Sequence, residues 1–135
     1  MSNMFNNYPG PTPDNRRFCL PRDILTIMAG ETTEHSFEFF NMDLSDDSFA
    51  SDFKLIYKLG LEVVLEKSKD KCTIVYDGHK SIVTCVLSET ETSLFANTLL
   101  DAFVQFKFNV SDGTTRYSDI MEIKLEDALD SKKGD

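Results

Sequence analysis

Tryptophan is absent from this 135-residue chain, and histidine, cysteine and proline are scarce, with two, three and four copies respectively. The cysteines form no C-x-x-C pair, and together with two histidines they do not supply the ligand spacing typical of a zinc site. The sequence therefore predicts no metal site and no cofactor. An odd cysteine count without an export signal favours reduced thiols in a cytosolic setting. The three cysteines are Cys19, Cys72 and Cys85.

Positive charge is in deficit. The chain has 14 Lys and Arg residues against 23 Asp and Glu, and the net charge is -9. Negative charge opposes the phosphate neutralisation that drives nucleic-acid binding, and it opposes attraction to anionic membranes. We therefore expect neither nucleic acid nor a membrane as a partner.

Long apolar runs are missing too. No stretch approaches the roughly 18 apolar residues that a membrane span requires. Residues 1–17 read MSNMFNNYPGPTPDNRR and lack the apolar core of a signal peptide, so we expect no export. The hydrophobic fraction of 41%, with 11 Phe, is nevertheless ordinary for a globular domain.

The clearest structural signal is a long hairpin centred on Asp112-Gly113, a pair typical of tight turns. Its arms alternate with the period of 2 expected of half-buried strands. A two-residue turn would pair Val104 with Met121 and Ala102 with Ile123. Asp119 falls in phase with the inward positions, where a carboxylate is costly, so we expect a bulge or backbone donors around it. The predicted inward residues are Ala102, Val104, Phe106, Phe108, Tyr117, Met121, Ile123 and Leu125.

A second hairpin is predicted around Asp77-Gly78, between strands at 72–76 and 81–87. A two-residue turn would pair Cys72 with Val83, whereas a four-residue turn would place Cys72 opposite Cys85. The second register would bring the two close enough to bond, but in a reducing compartment we interpret both as buried thiols in preference to a disulfide. Cys19 is expected to be the accessible one.

The remaining patterns predict shorter elements. Strands are expected at 24–28 and 32–40, where His35 is interpreted as a strand-edge residue because it has no catalytic partner. The alternating segment 53–65 favours two strands that turn near Gly60. Ser88 and Glu91 fit a capping box, which predicts a short helical turn over 89–95 that directs Leu94 and Phe95 inward.

These elements indicate an all-β fold, an antiparallel β-sandwich of seven or eight strands with one short helical turn, and we favour the immunoglobulin-like (Ig-like) variety. The predicted organisation is a flexible N-terminal arm over 1–23, the sandwich over 24–126 and a charged C-terminal tail over 127–135.

Three stretches carry a resemblance to a known family. They read ILTIMAGETTEHSFEF, LSETETSLF and VQFKFNVSDGTTRYSDIMEIKL. Together they resemble the small Ig-like domains of tail modules in phages and prophages of Gram-positive bacteria, similar to the N-terminal domain of upper baseplate proteins. The resemblance spans residues 24–126. The chain ends before the coiled coil and receptor-binding region of those proteins, which suggests an accessory subunit.

The resemblance implies a structural role in a tail or baseplate, without catalysis, in contact with other tail or baseplate proteins. The implied location is the virion tail or the host cytoplasm. The alternative is a bacterial Ig-like adhesion or carbohydrate-binding module. An enzyme is not expected, because the sequence offers no clustered acid–base pair or metal ligands.

An interface is predicted on the sheet that contains the long hairpin. Phe103 and Ile120 are expected to be diagonal neighbours on its outward side. Four gathered apolar side chains could form a patch of the size that marks an interface, which predicts a homo-oligomer. The alternative is that the N-terminal arm or the C-terminal tail covers this face. The predicted interface residues are Ile56, Val64, Phe103 and Ile120.

Overall fold

A computed structural model describes residues 19–46, 53–109 and 114–126. Of these residues, 58% lie in strands and 10% in helices, so the predicted β-rich class is confirmed. The strands are β1 (Cys19–Pro21), β2 (Thr26–Met28), β3 (Thr33–Phe40), β4 (Lys54–Leu59), β5 (Glu62–Ser68), β6 (Cys72–Tyr76), β7 (Lys80–Leu87), β8 (Ala102–Asn109), β9 (Thr115–Tyr117) and β10 (Met121–Glu126). The helical elements are α1 (Glu89–Thr92) and two 3₁₀ turns, Lys69–Lys71 and Ser93–Phe95.

One sheet has six strands in the order β2-β10-β8-β4-β5, with β9 also paired to β8. The pairing of β2 with β10 is parallel, and Lys124 N–H donates to Leu25 O at 2.8 Å. The sheets are therefore antiparallel and mixed, not purely antiparallel, and the described strands exceed the seven or eight predicted. Strands of three residues are too short to show alternation, and a parallel partner from the far end of the chain leaves no hairpin signal.

The other sheet has four strands in the order β1-β3-β7-β6, and it curls into a half-barrel. Strand β1 lies within the segment predicted to be a flexible arm, and its residue Cys19 pairs with Phe39 of β3. The side chain of Cys19 is only 3% exposed. The expectation that Cys19 is the accessible thiol is therefore wrong, because Cys19 lies in the short strand β1 and its side chain packs into the core.

Both sheets contribute to one hydrophobic core. Phe106 of β8 lies at its centre, with its ring centroid 4.8 Å from that of Phe37, 4.5 Å from that of Phe39 and 5.0 Å from that of Phe53. The contacts with Phe37 and Phe39 join the two sheets, and both are edge-to-face, a favourable geometry for aromatic pairs.

The long hairpin has the predicted register far from its turn. Val104 pairs with Met121, and Ala102 pairs with Ile123. Nearer the turn Thr115 pairs with Asn109, one residue away from the register that a two-residue turn imposes. The Asp112-Gly113 turn itself lies outside the described residues.

The change of register occurs between β9 and β10, at residues 118–120, where the sequence predicted a bulge beside Asp119. That prediction is confirmed. Ser118 is fully buried there, and its Oγ accepts a hydrogen bond from Phe106 N–H at 2.9 Å. The bulge adds one residue between β9 and β10 and so reverses which side chains of β9 face the core. Tyr117 is therefore 42% exposed and not inward as predicted.

The turn near Gly60 is confirmed, with a positive φ of 60° at that glycine. A register shift follows it, because Tyr57 pairs with Leu65 while Lys58 pairs with Val63. Val64 is thereby left without a cross-strand partner and packs against the core. The prediction that Val64 faces outward is wrong, since a bulge changes which side chains face each side.

The predicted capping box is also present. Ser88 Oγ accepts from Glu91 N–H at 3.1 Å, and the Glu91 carboxylate accepts from Ser88 N–H at 2.9 Å. Phe95 is buried as expected, but Leu94 is 48% exposed. The α-helix ends at Thr92 and a 3₁₀ turn begins at Ser93, so of Leu94 and Phe95 only Phe95 reaches the core.

Candidate functional site

The outward side of the six-stranded sheet, called here the outer face, holds three of the four predicted interface residues. Ile120 is 57% exposed, while Ile56 and Phe103 are partly exposed. The fourth, Val64, packs against the core, and Val63 takes an outward position at 45% exposure.

The ladder pairing places these residues close together. Ile56 pairs with Gln105, one diagonal step from Phe103. Ile120 directly precedes Met121, whose partner is Val104, so the register sets Ile120 beside Gln105 as well. The predicted proximity of Phe103 and Ile120 therefore follows from the observed register.

One cross-strand row of the outer face combines an aromatic side chain with opposite charges. Phe103 pairs with Lys58 on one side and with Glu122 on the other. Val63 pairs with Lys58 and extends the row by one strand. The order across the sheet is therefore apolar, positive, aromatic and negative.

A cleft of about 650 Å³ borders the outer face at Glu122. Its rim is aliphatic, because Ile24 is 83%, Leu99 103% and Leu100 56% exposed. Apolar side chains that are exposed singly are common, but a contiguous exposed group of them marks a contact surface. The cleft therefore extends the apolar character of the outer face beyond the edge of β10.

A second group of interest is inside the fold, around His35. Its Nε2 donates to the backbone oxygen of Thr26 at 2.8 Å, and its Nδ1 lies 2.7 Å from the hydroxyl of Tyr57. In the neutral tautomer that donates from Nε2, Nδ1 accepts the Tyr57 proton. The interpretation of His35 as a strand-edge residue is wrong, since its side chain is 3% exposed. The signal was available: His35 is in phase with Phe37.

Burial lowers the pKa of His35 below its ordinary value of 6.5, although the hydrogen bond to Thr26 acts in the opposite direction. Burial also raises the pKa of Tyr57, and the neighbouring Cys85, Cys72 and Glu91 add to this effect. Both groups are therefore neutral at pH 7 and hold the β3–β4 contact by hydrogen bonding.

Acidification is expected to destabilise the protein through His35. With a lowered pKa in the fold, the unfolded chain takes up a proton at a higher pH than the folded chain does. The contribution of His35 to stability is therefore complete above about pH 7 and falls as the pH decreases from about 6.5 toward the folded pKa.

Urea unfolding from about pH 7.5 to about pH 5 measures this dependence. His35→Gln is expected to flatten the pH dependence of the unfolding free energy, whereas His79→Gln, at an exposed position, leaves it unchanged. An unchanged slope in His35→Gln would show that other groups cause the effect.

The turn between β6 and β7 selects one of the two registers that the sequence left open. Four residues, 77–80, separate the paired residues Tyr76 and Ser81, so Cys72 lies directly opposite Cys85. Both are free thiols. Cys85 is fully buried as predicted, but Cys72 is only partly buried because β6 is an edge strand.

Lys67 approaches this cysteine pair from the other sheet. Lys67 is on the inward side of β5 opposite Leu55, and its Nζ lies 2.6 Å from Glu91 Oε1 of α1. The hydrogen bond from Cys85 is the main cause of a lowered pKa at Cys72, and the positive charge of Lys67 acts in the same direction. Lys67 is in phase with Leu65, which the alternating pattern placed inward, so the inward position of this charged residue could be read from the alternation.

Across the described ranges, no group of three or more His, Cys, Asp or Glu side chains is arranged to hold a metal ion. No helix there is both long and apolar enough to cross a membrane. Searches against known protein families and curated proteins found no match to this chain. The functions of the outer face and of the Cys72–Cys85 pair are therefore inferred from their geometry.

Proposed function

We propose that this chain is a non-catalytic structural subunit with an Ig-like β-sandwich fold, which associates with a second copy of itself through its outer face. The family resemblance supports placing it in a phage or prophage tail, as a baseplate or tail-tip accessory protein. Edge-to-face contacts between Phe106 and the aromatic residues of the opposite sheet support a two-layer sandwich.

The observation that carries the proposal is the row Lys58, Phe103 and Glu122. A dimer with twofold symmetry uses the same patch on both subunits, so the patch must complement itself. A row that is positive on one side of an aromatic ring and negative on the other meets this requirement.

The orientation of the copies follows from the row. Consider two outer faces packed against each other, with a twofold axis between them that passes Phe103 and runs parallel to the strands. Rotation about this axis reverses the left-to-right order of the strands in the second copy. Lys58 of one copy then lies opposite Glu122 of the other, and the two Phe103 rings meet at the axis. Around them lie Ile56, Val63 and Ile120, which supply the apolar area of the contact.

Sedimentation of the full chain tests this function. The wild type is expected to associate at roughly 100 μM, a concentration above the dissociation constant of most specific complexes. A Phe103→Glu, Ile120→Glu double variant is expected to remain monomeric, because it places four buried negative charges in the contact.

The matched control is Val86→Glu, Leu94→Glu, which introduces the same charges at positions that are each 48% exposed and away from the outer face. It should associate like the wild type. A monomeric wild type contradicts the proposed self-association, and equal association of the outer-face variant assigns the contact to another surface.

A further inference from the structure

We propose that Cys72 and Cys85 form an oxidisable dithiol, in which Cys72 attacks a low-molecular-weight disulfide and Cys85 resolves the mixed disulfide into an intramolecular bond. The site is a thiol–disulfide exchange site at the edge of the four-stranded sheet. Its product fastens the edge strand β6 to β7.

The register brings the two residues within bonding range. The ladder pairs Cys72 with Cys85 directly. The hydrogen bond from Asp77 N–H to Lys80 O, at 3.1 Å, occupies a hydrogen-bonded position of this hairpin. Positions alternate along an antiparallel ladder, so Cys72 and Cys85 form a non-hydrogen-bonded pair, with Cα atoms about 4.5 Å apart. That separation lies within the range of about 4.4 to 6.8 Å that disulfides span.

The surroundings give the two thiols different roles. Cys72 is partly exposed, and its Sγ lies 3.7 Å from Ser68 O. The hydrogen bond from the Cys85 thiol and the charge of Lys67 lower the pKa of Cys72, against the opposing effects of partial burial and Asp70. Cys85 has a raised pKa because it donates that hydrogen bond and is buried, with Glu91 nearby.

An accessible thiol that ionises readily is the attacking group in disulfide exchange. Cys72 meets both conditions. Cys85 is shielded from solvent but adjacent to Cys72, as a resolving thiol must be. Cys19 meets neither condition, because it is buried and burial raises the pKa of its thiol.

The reaction balances as two exchanges. The Cys72 thiolate attacks one sulfur of the small disulfide, whose S–S bond breaks, and the leaving thiolate takes up the proton that Cys72 released. Cys85 then attacks Cys72 Sγ, expels the second small thiolate and transfers its proton to it. Two protein thiols are oxidised, and one small disulfide is reduced to two thiols.

Mass spectrometry of the native full chain tests the assignment. The reduced protein is incubated with 2-hydroxyethyl disulfide, free thiols are alkylated, and the protein is digested under non-reducing conditions. The wild type is expected to lose the mass of two hydrogens and to yield one peptide pair linked through Cys72 and Cys85. Cys19 should be alkylated only after denaturation.

The variants separate the two steps. Cys85→Ser should accumulate a mixed disulfide at Cys72, Cys72→Ser should not react in the native state, and Cys19→Ser should behave like the wild type. In the wild type, a persistent mixed disulfide at Cys72, a link between two chains, or no reaction without denaturant would each overturn the proposal. These wild-type outcomes decide the matter even if a variant fails to fold.

The rate of alkylation gives an independent readout. Because Cys72 is partly exposed and its pKa is lowered, whereas Cys19 is buried and its pKa is raised, Cys72 should react roughly tenfold or more faster than Cys19 in the native wild type. Equal rates at the two cysteines would contradict the distinct role of Cys72.

Discussion

The Phe106→Ala variant is expected to lose about 3 to 5 kcal/mol of unfolding free energy relative to the wild type. Phe106 is fully buried and contacts two aromatic rings of the opposite sheet, so its removal leaves a cavity at the junction of the sheets. The surrounding backbone is held by the β4–β8 and β8–β10 ladders and cannot collapse fully into that space.

Urea unfolding at 25 °C measures this loss, with Phe40→Ala as the matched control. Phe40 is at the end of β3 and only partly buried, so the same chemical change should cost about 1 kcal/mol. If the two variants lose equal stability, Phe106 does not occupy the centre of the core.

The second large effect is expected at Ser118. Ser118→Ala should cost about 1 to 3 kcal/mol, because the buried N–H of Phe106 loses the acceptor that it has at 2.9 Å. The Ser118 hydroxyl also donates to Asp119 O at 2.9 Å, so the substitution frees a second backbone group. Both bonds hold the chain where the register of the hairpin changes.

Ser93→Ala is the control for this substitution, since Ser93 is exposed and its change should stay within about 0.5 kcal/mol. Thermal unfolding of the two variants side by side gives the comparison. A Ser118→Ala variant as stable as Ser93→Ala would indicate that the bulge finds another acceptor for Phe106.

Alternation along single strands predicted much of this fold. The pairing of Val104 with Met121 follows from inward residues on both arms, because a slip of one residue would expose them. The capping box at Ser88 and Glu91 is a local interaction, so it too could be identified from spacing.

Irregular positions account for the errors in the candidate sites. The bulge at Val64 turns Val64 toward the core and leaves Val63, which the alternation placed inward, 45% exposed. A single extra residue reverses the phase of the side chains on one side of it, and nothing in the apolar pattern marks it. The position of Cys19 depends on a partner strand about 20 residues away, and such distant pairing has no local signal.

The charged row of the outer face allows a direct test of the proposed association. In the proposed dimer, each Lys58 faces a Glu122, so the contact occurs twice. Lys58→Glu and Glu122→Lys each place like charges opposite one another and should raise the dissociation constant of the dimer roughly tenfold or more. Glu34→Lys makes the same charge change as Glu122→Lys, at an exposed position of the other sheet, and should leave the dissociation constant unchanged.

Sedimentation equilibrium of the Lys58→Glu, Glu122→Lys double variant is the measurement that tests the central claim most directly. The exchange restores opposite charges across the twofold axis and leaves net charge and composition unchanged. The proposed geometry predicts that the double variant regains the dissociation constant of the wild type. Association as weak as that of the single variants would contradict the pairing of Lys58 with Glu122 and, with it, the proposed twofold arrangement of the copies.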